Sequence, residues 1–211
     1  MSQVLLNNSL PLTIKVLEKT SFNRYLLKFG NKTLSTKSLK SLVVGSEYWG
    51  EISQNGNLIA VSNLIQKPDI GYLLENGSNI IEKIIYEKSL KSFYELCLNM
   101  LMSSDDKEHF ALWTDIFMAL SENIIHIPFI YENSPQLFQL KKSGCRVQIY
   151  LIFLNFGPLI FTYEKSKLSS IKTPYSTVAT LLGGFFDIQI QIDSNFDMLW
   201  KKSSNFIDFK G

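Results

Sequence analysis

Cysteine, arginine and histidine are scarce in this chain, with two of each, and each shortage excludes a class of protein. A secreted disulfide scaffold would need more cysteine than Cys97 and Cys145. Cys97 shares an apolar helical face with Phe93, Leu96, Met100 and Leu101 and reads as a small buried hydrophobe. Arg24 and Arg146 are the only arginines, so the positive charge is almost all lysine, which argues against recognition built on arginine's planar fork. The formal net charge of +2 is too near balance to point to nucleic acid. His109 and His126 have no second histidine or cysteine at metal-ligand spacing and read as structural. Long apolar runs are lacking too. The longest, Ile149 to Ile160, is interrupted by Asn155, Gly157 and Pro158 and is too short to cross a bilayer as a helix. The opening MSQVLLNNSLPL has no basic region ahead of its brief apolar patch, so no signal peptide is expected. The expected location is cytoplasmic, with export by a signal-peptide-independent route as the alternative.

What is present is a core. Of 211 residues 45% are hydrophobic, enough to exclude a mainly disordered chain. Residues 1–66 read as a small β-barrel-like domain: TIKVL (13–17), YLLKF (25–29) before the Gly30-Asn31 turn, Lys32 to Thr36, YWGEI (48–52), and LIAVSNL (58–64) after the hairpin signal at Asn55-Gly56. Residues 67–78, with Pro68, Gly71 and Gly77, read as a linker. Residues 79–122 read as a helical pair, one helix from Asn79 to Met102 and a second capped near Ser104 or Asp105 and running to Glu122. Residues 123–193 read as a C-terminal α+β domain. Its strands are expected at Ile124–Tyr131, Gln136–Lys141, Arg146–Leu154 and Pro158–Tyr163, followed by a helix over Pro174–Gly183 and a strand over Phe185–Asp193. Residues 194–211 form an aromatic tail with Phe196, Trp200, Phe206 and Phe209. The fold class is therefore α+β, in the order small β-barrel-like unit, helical pair, strand–strand–helix–strand unit.

Catalytic patterns do not emerge. Asp105 and Asp106 are an acid pair, but at a helix start they serve capping and the helix dipole. Gly183-Gly184 follows a helix, whereas a phosphate loop precedes one. Neither cysteine lies in a motif with histidine, and no serine sits in a nucleophile elbow. The chain is expected to be no enzyme, with no cofactor, no metal and no small-molecule substrate. Aromatic residues suit interfaces, and Phe156 at a strand turn and Phe196 and Trp200 in the tail are candidate partner contacts. A competing reading takes the β-unit as an OB-like single-strand binder, with Lys28, Lys32, Lys37 and Lys40 beside Tyr25, Tyr48 and Trp49.

Three stretches resemble the flagellar hook-length control (FliK-type) family. They are TIKVLEKTSFNRYLLKFGNKTLSTKSLKSLVVGSEYWGEI with its glycine at Gly45, Ile127-Pro128-Phe129 followed by QLFQLKK, and Phe156-Gly157-Pro158-Leu159 between two strands. The resemblance covers most of the chain loosely. It implies a non-enzymatic flagellar assembly protein of the hook-length control or export-specificity switch type, acting by protein–protein binding. It implies that the C-terminal unit meets the cytoplasmic domain of the export-gate protein FlhB, and Phe156, Gly157, Pro158 and Leu159 stand with Phe196 and Trp200 as candidate partner contacts. The family's disordered ruler region has no counterpart between the segments here, so the switch role is the implied one. A chaperone or co-chaperone of flagellar or type III export, using residues 79–122 as a groove for a partner helix, is the alternative.

Overall fold

The structure is a computed structural model that describes residues 10–55, 58–87 and 90–202. It is α+β, as the sequence pattern predicts. Strands β1 (Leu12–Ser21), β2 (Arg24–Phe29), β3 (Lys32–Lys37), β4 (Glu47–Asn55) and β5 (Leu58–Gln66) form an antiparallel sheet in the order β3-β2-β1-β4-β5. A second sheet has the order β11-β10-β9-β8-β7-β6. Its strands are β6 (Ile124–Tyr131), β7 (Ser134–Ser143), β8 (Arg146–Ile152), β9 (Pro158–Glu164), β10 (Lys167–Thr173) and β11 (Gln189–Ile192). The helices are α1 (Gly77–Glu87), α2 (Lys91–Ser103), α3 (Lys107–Ser121) and α4 (Ser176–Gly183). The chain divides into two compact units, one of residues 1–69, 155–159 and 170–196, the other of residues 70–154, 160–169 and 197–211.

In the first unit, period-two patterning puts Ile14 and Val16 of β1 and Tyr25, Leu27 and Phe29 of β2 on one face, where they meet Leu42, Tyr48 and Ile52. Each such side chain, fully buried, contributes roughly 1.5–3 kcal/mol. The two tyrosines also use their hydroxyls: Tyr25 accepts from Leu42 N at 3.3 Å and Tyr48 from Val43 N at 3.0 Å. Those bonds fix the loop from β3 to β4 over the core. The five strands form the strand-rich unit that the pattern predicts, and among the described residues β3 and β5 stand at the two ends of the strand order. A cleft of about 380 Å³ lies between Thr36–Lys40 and Val61–Ile65.

Helix α4 starts two residues later than the sequence predicts, after Pro174, and β11 is shorter than the expected Phe185–Asp193 strand. Phe185 and Phe186 donate their amides back to Leu182 O, extending the helix end into a turn that delays the strand. No side chain of the N-cap Tyr175 caps α4. Glu51 of β4 does so instead. Its Oε1 accepts from Thr177 N at 3.4 Å, Thr177 Oγ1 at 3.3 Å and Ser176 Oγ at 3.2 Å, while Asn63 Nδ2 holds Oε2 at 2.7 Å. A carboxylate from a strand thus meets the positive end of the helix.

In the second unit, the single helix expected over Asn79–Met102 is two helices. The reason lies in its periodicity. The buried pair Ile80 and Ile84 and the buried pair Phe93 and Cys97 are thirteen residues apart, which on one continuous helix places them about 220° round from each other. Only a break lets both pairs face the same core. That core joins them to Leu112, Trp113 and Ile116 of α3 and to Ile125, Ile127 and Phe129 of β6. Asp106, one residue beyond the expected cap, caps α3 by accepting from Glu108 N at 2.7 Å.

Strand β6 ends the sheet order, and the segment before α1 covers it. Leu74 N donates to Pro128 O at 3.0 Å and Ile130 N donates to Leu74 O at 3.1 Å, making a parallel bridge to Phe129. Pro128 therefore occupies a strand position where only its carbonyl is asked to bond outward. Gly77 follows closely, and a Cβ there would stand 2.3 Å from Phe129 Cβ, so only glycine lets α1 start against β6.

Candidate partner-binding face

Helix α2 has two apolar faces. One, Phe93 and Cys97 with Leu96 and Met100, enters the core. The other is Leu90, Tyr94, Leu98 and Met102, at steps of four, and every member is exposed, Met102 by 87%. Steps of four on a helix turn about 40° each, so these side chains form one oblique ridge along the surface. Tyr94 is tilted against Phe117 of α3 at 5.4 Å between ring centroids, which steadies the middle of the ridge. Ile85 and Tyr86 at the end of α1 and Phe110 on α3 are also exposed, Tyr86 by 76%. Exposed apolar residues stacked along a helix mark an interaction site more often than a solvent face.

The same unit holds a cleft of about 520 Å³ bounded by the 73–76 segment and the helices. Ile80, Leu96, Met100 and Trp113 give it apolar walls, and Glu75, Asn76 and His109 its polar ones. His109 Nδ1 lies 3.4 Å from Asp106 Oδ2. Glu108 accepts a hydrogen bond from Tyr72, which with partial burial raises that phenol above its ordinary value.

The residues singled out from sequence fall elsewhere. Phe156 is half-buried in the short 3-10 turn Leu154–Phe156, and Gly157, Pro158 and Leu159 are buried. Gly157 has φ 70°, and a Cβ on it would meet Tyr175 Cε2 at 2.7 Å. The turn's backbone is therefore packed inward, and only Phe156 of the four offers surface. Phe196 is half-buried. Trp200 is 6% exposed and packs with Ala119 and Ile124, while Phe206 and Phe209 lie outside the described residues. Tyr25, Tyr48 and Trp49 are buried in the first unit, where Lys28, Lys32, Lys37 and Lys40 are exposed beside no stacking ring from these three. Among the described residues, no group of His, Cys, Asp and Glu is placed to hold a metal ion, and no helix is long and apolar enough to cross a membrane.

The ridge was legible in part. Leu90, Tyr94, Leu98 and Met102 recur at steps of four in the sequence. Apolar residues on both sides of α2 were the signal that one side faces out.

Compared with protein-family models, with curated proteins and with solved structures, the chain matches none. The class that the fold defines is an α+β protein with two sheets and four helices among the described residues.

Proposed function

We propose that the protein is a non-enzymatic binding protein that engages a partner protein through the helical layer of its second unit. The observation that carries this reading is the exposed Leu90, Tyr94, Leu98, Met102 ridge. A helix laid along such a ridge would bury apolar side chains at its own i, i+4 spacing. The finer reading is a flagellar assembly protein of hook-length control or export-switch type that meets the export-gate protein FlhB, and it rests on the resemblance of the three sequence stretches. The ridge itself favours the chaperone or co-chaperone form of that reading, since a chaperone holds a partner helix on a helical face.

The test is capture of partners by the full chain and by Leu98→Glu and Met102→Glu variants. Recovery of a flagellar or export component by the parent, and its loss with either variant, is the expected result. Capture unchanged by both variants overturns the helical face as the binding site, and a parent that retains no flagellar or export protein overturns the finer reading.

A further inference from the structure

Phe22 and Leu39 are the most exposed large apolar side chains among the described residues, by 92% and 103%. Both stand at one end of the first sheet. Phe22 lies in the turn from β1 to β2, and Leu39 follows the end of β3. Ser38 N donates to Asn23 O at 2.9 Å, so the chain neighbours of the two residues are bonded to each other. Residues 12–46 carry seven basic side chains and one acidic, Glu18. Four of the seven, Lys19, Arg24, Lys37 and Lys40, lie within three residues of Phe22 or Leu39, and all four are exposed. Among the described residues neither the seven nor Glu18 makes an ion pair. Carboxylates near the segment are taken elsewhere. Glu47, opposite Lys15 on β4, is paired with Lys67 at 3.3 Å. Asp193, next to Ser194 in the lining of the cleft beside Leu39 and Lys40, is paired with Lys172 at 3.3 Å. Arg24 and Lys37 stand directly opposite each other in the β2–β3 register. Like charges so placed destabilise a sheet, and an anion lying over them relieves the cost.

We propose that this end of the sheet docks on the surface of an anionic lipid bilayer. Phe22 and Leu39 enter the boundary between headgroups and acyl chains, and Lys19, Arg24, Lys37 and Lys40 meet the lipid phosphates. The contact belongs to the first unit and is independent of the helical face. Three observations select this occupant. A lipid interface takes up two fully exposed apolar side chains without preformed pockets, whereas a protein partner would have to supply a pocket for each. The flanking cations attract anionic headgroups, each worth roughly 5-fold in affinity, and Lys19 Nζ lies 6.0 Å from the centroid of the Phe22 ring, so cation and apolar group reach the surface together. A nucleic-acid strand is held on stacking rings within a basic groove. Leu39 has no ring, and Tyr25, Tyr48 and Trp49 are buried.

The test is co-sedimentation of the full chain with vesicles of phosphatidylcholine alone and of equal parts phosphatidylcholine and phosphatidylglycerol. Binding to the anionic vesicles is expected to be tighter by roughly 10-fold or more and to weaken as salt rises. A Phe22→Ser, Leu39→Ser double variant and a Lys37→Glu, Lys40→Glu double variant, their folds checked by circular dichroism, should each lose roughly 10-fold or more on anionic vesicles. The fluorescence of a Phe22→Trp variant should be quenched by brominated lipid, against a background of the buried Trp49, Trp113 and Trp200. No preference for the anionic vesicles, a preference that the serine variant keeps, or a Phe22→Trp variant blind to brominated lipid overturns the proposal. Loss of vesicle binding in Leu98→Glu moves the membrane contact to the helical face and overturns it too. Tighter binding to a fluorescent oligothymidine or to polyglutamate than to the anionic vesicles, lost in the Lys37→Glu, Lys40→Glu variant, overturns it in favour of a nucleic acid or an acidic protein respectively.

Discussion

Gln139 holds the backbone of Trp200 by both ends of its side-chain amide. Trp200 N donates to Gln139 Oε1 at 3.2 Å, and Gln139 Nε2 donates to Trp200 O at 2.8 Å. The amide thus imitates a strand partner for one residue of the tail. Trp200 Nε1 then donates to Glu122 Oε1 at 3.0 Å, and Lys202 Nζ lies 2.8 Å from Asp115 Oδ1. The tail segment around Trp200 is bound to its own unit, which explains why this tryptophan offers no free surface.

Replacing Gln139 by leucine keeps the volume and removes the clasp, leaving the Trp200 N–H and C=O buried without those partners. Loss of roughly 2–3 kcal/mol of stability is expected, read as a lower urea midpoint with unchanged slope. Trp200 fluorescence should shift to longer wavelength at low denaturant. A midpoint within error of the parent would refute the clasp as a structural tie.

The clasp also fixes the protonation of a histidine. The Trp200 N–H faces Oε1, so Nε2 of Gln139 must face His126 Nδ1, at 2.9 Å. Since Nε2 is a donor, Nδ1 is the acceptor and the ring proton sits on its other nitrogen. Burial lowers the His126 pKa to about 4. The folded state therefore binds fewer protons than the unfolded state between about pH 6.5 and 4. Stability from this group is complete above pH 6.5 and falls as acid is added, by up to roughly 3 kcal/mol at pH 4. Urea midpoints measured across that range should decline in the parent, and His126→Gln should flatten the decline. A parent whose stability is level from pH 7 to pH 4.5 would contradict the assignment.

Glu51 offers a test of the first unit. Its replacement by alanine removes the acceptor for Ser176 and Thr177 and should cost about 1–2 kcal/mol, the usual worth of an N-cap. Hydrogen exchange at the first amides of α4 should quicken more than elsewhere. Glu51→Gln, which keeps an acceptor oxygen and loses the charge, should recover about half. Exchange in α4 that is blind to both changes would show that the helix start is held by other means.

Gly157→Ala asks two things of the turn at once, a left-handed φ for a residue with a Cβ and space already filled by the Tyr175 ring. A loss of at least about 2 kcal/mol is expected by thermal or urea unfolding. An alanine variant as stable as the parent would mean that the ring moves freely, against its complete burial.

Much of the architecture was readable because alternation and helical spacing report burial directly. Ile124–Tyr131 is a strand with the bounds its pattern predicts, and the Gly30-Asn31 hairpin closes between the paired residues Phe29 and Lys32. Strand β10 was missed for a physical reason. The turn leading to it is Lys165-Ser166, both with positive φ, 49° and 63°. Such a turn is normally advertised by glycine or asparagine, and this one is not, while KLSSIKT carries too few apolar residues to announce a strand. The break between α1 and α2 was hidden because each helix obeys its own spacing, and only the angle between the two buried pairs reveals it. The site was least legible. Periodicity identifies apolar residues on a helix but not which of two apolar sides meets the core, and that choice on α2 separates Phe93 and Cys97 from the ridge.

The hydrogen bonds at Leu74 have a consequence for how the second unit is assembled. The chain leaves the sheet edge at Leu74 and comes back to the same spot at Phe129, so the helical layer is a closed excursion with its two ends tied together. Such a segment has the topology of an insertion. It can be lengthened, redecorated or exchanged over evolution while the strands on either side keep their path, and a surface that must adapt to a partner is well placed there.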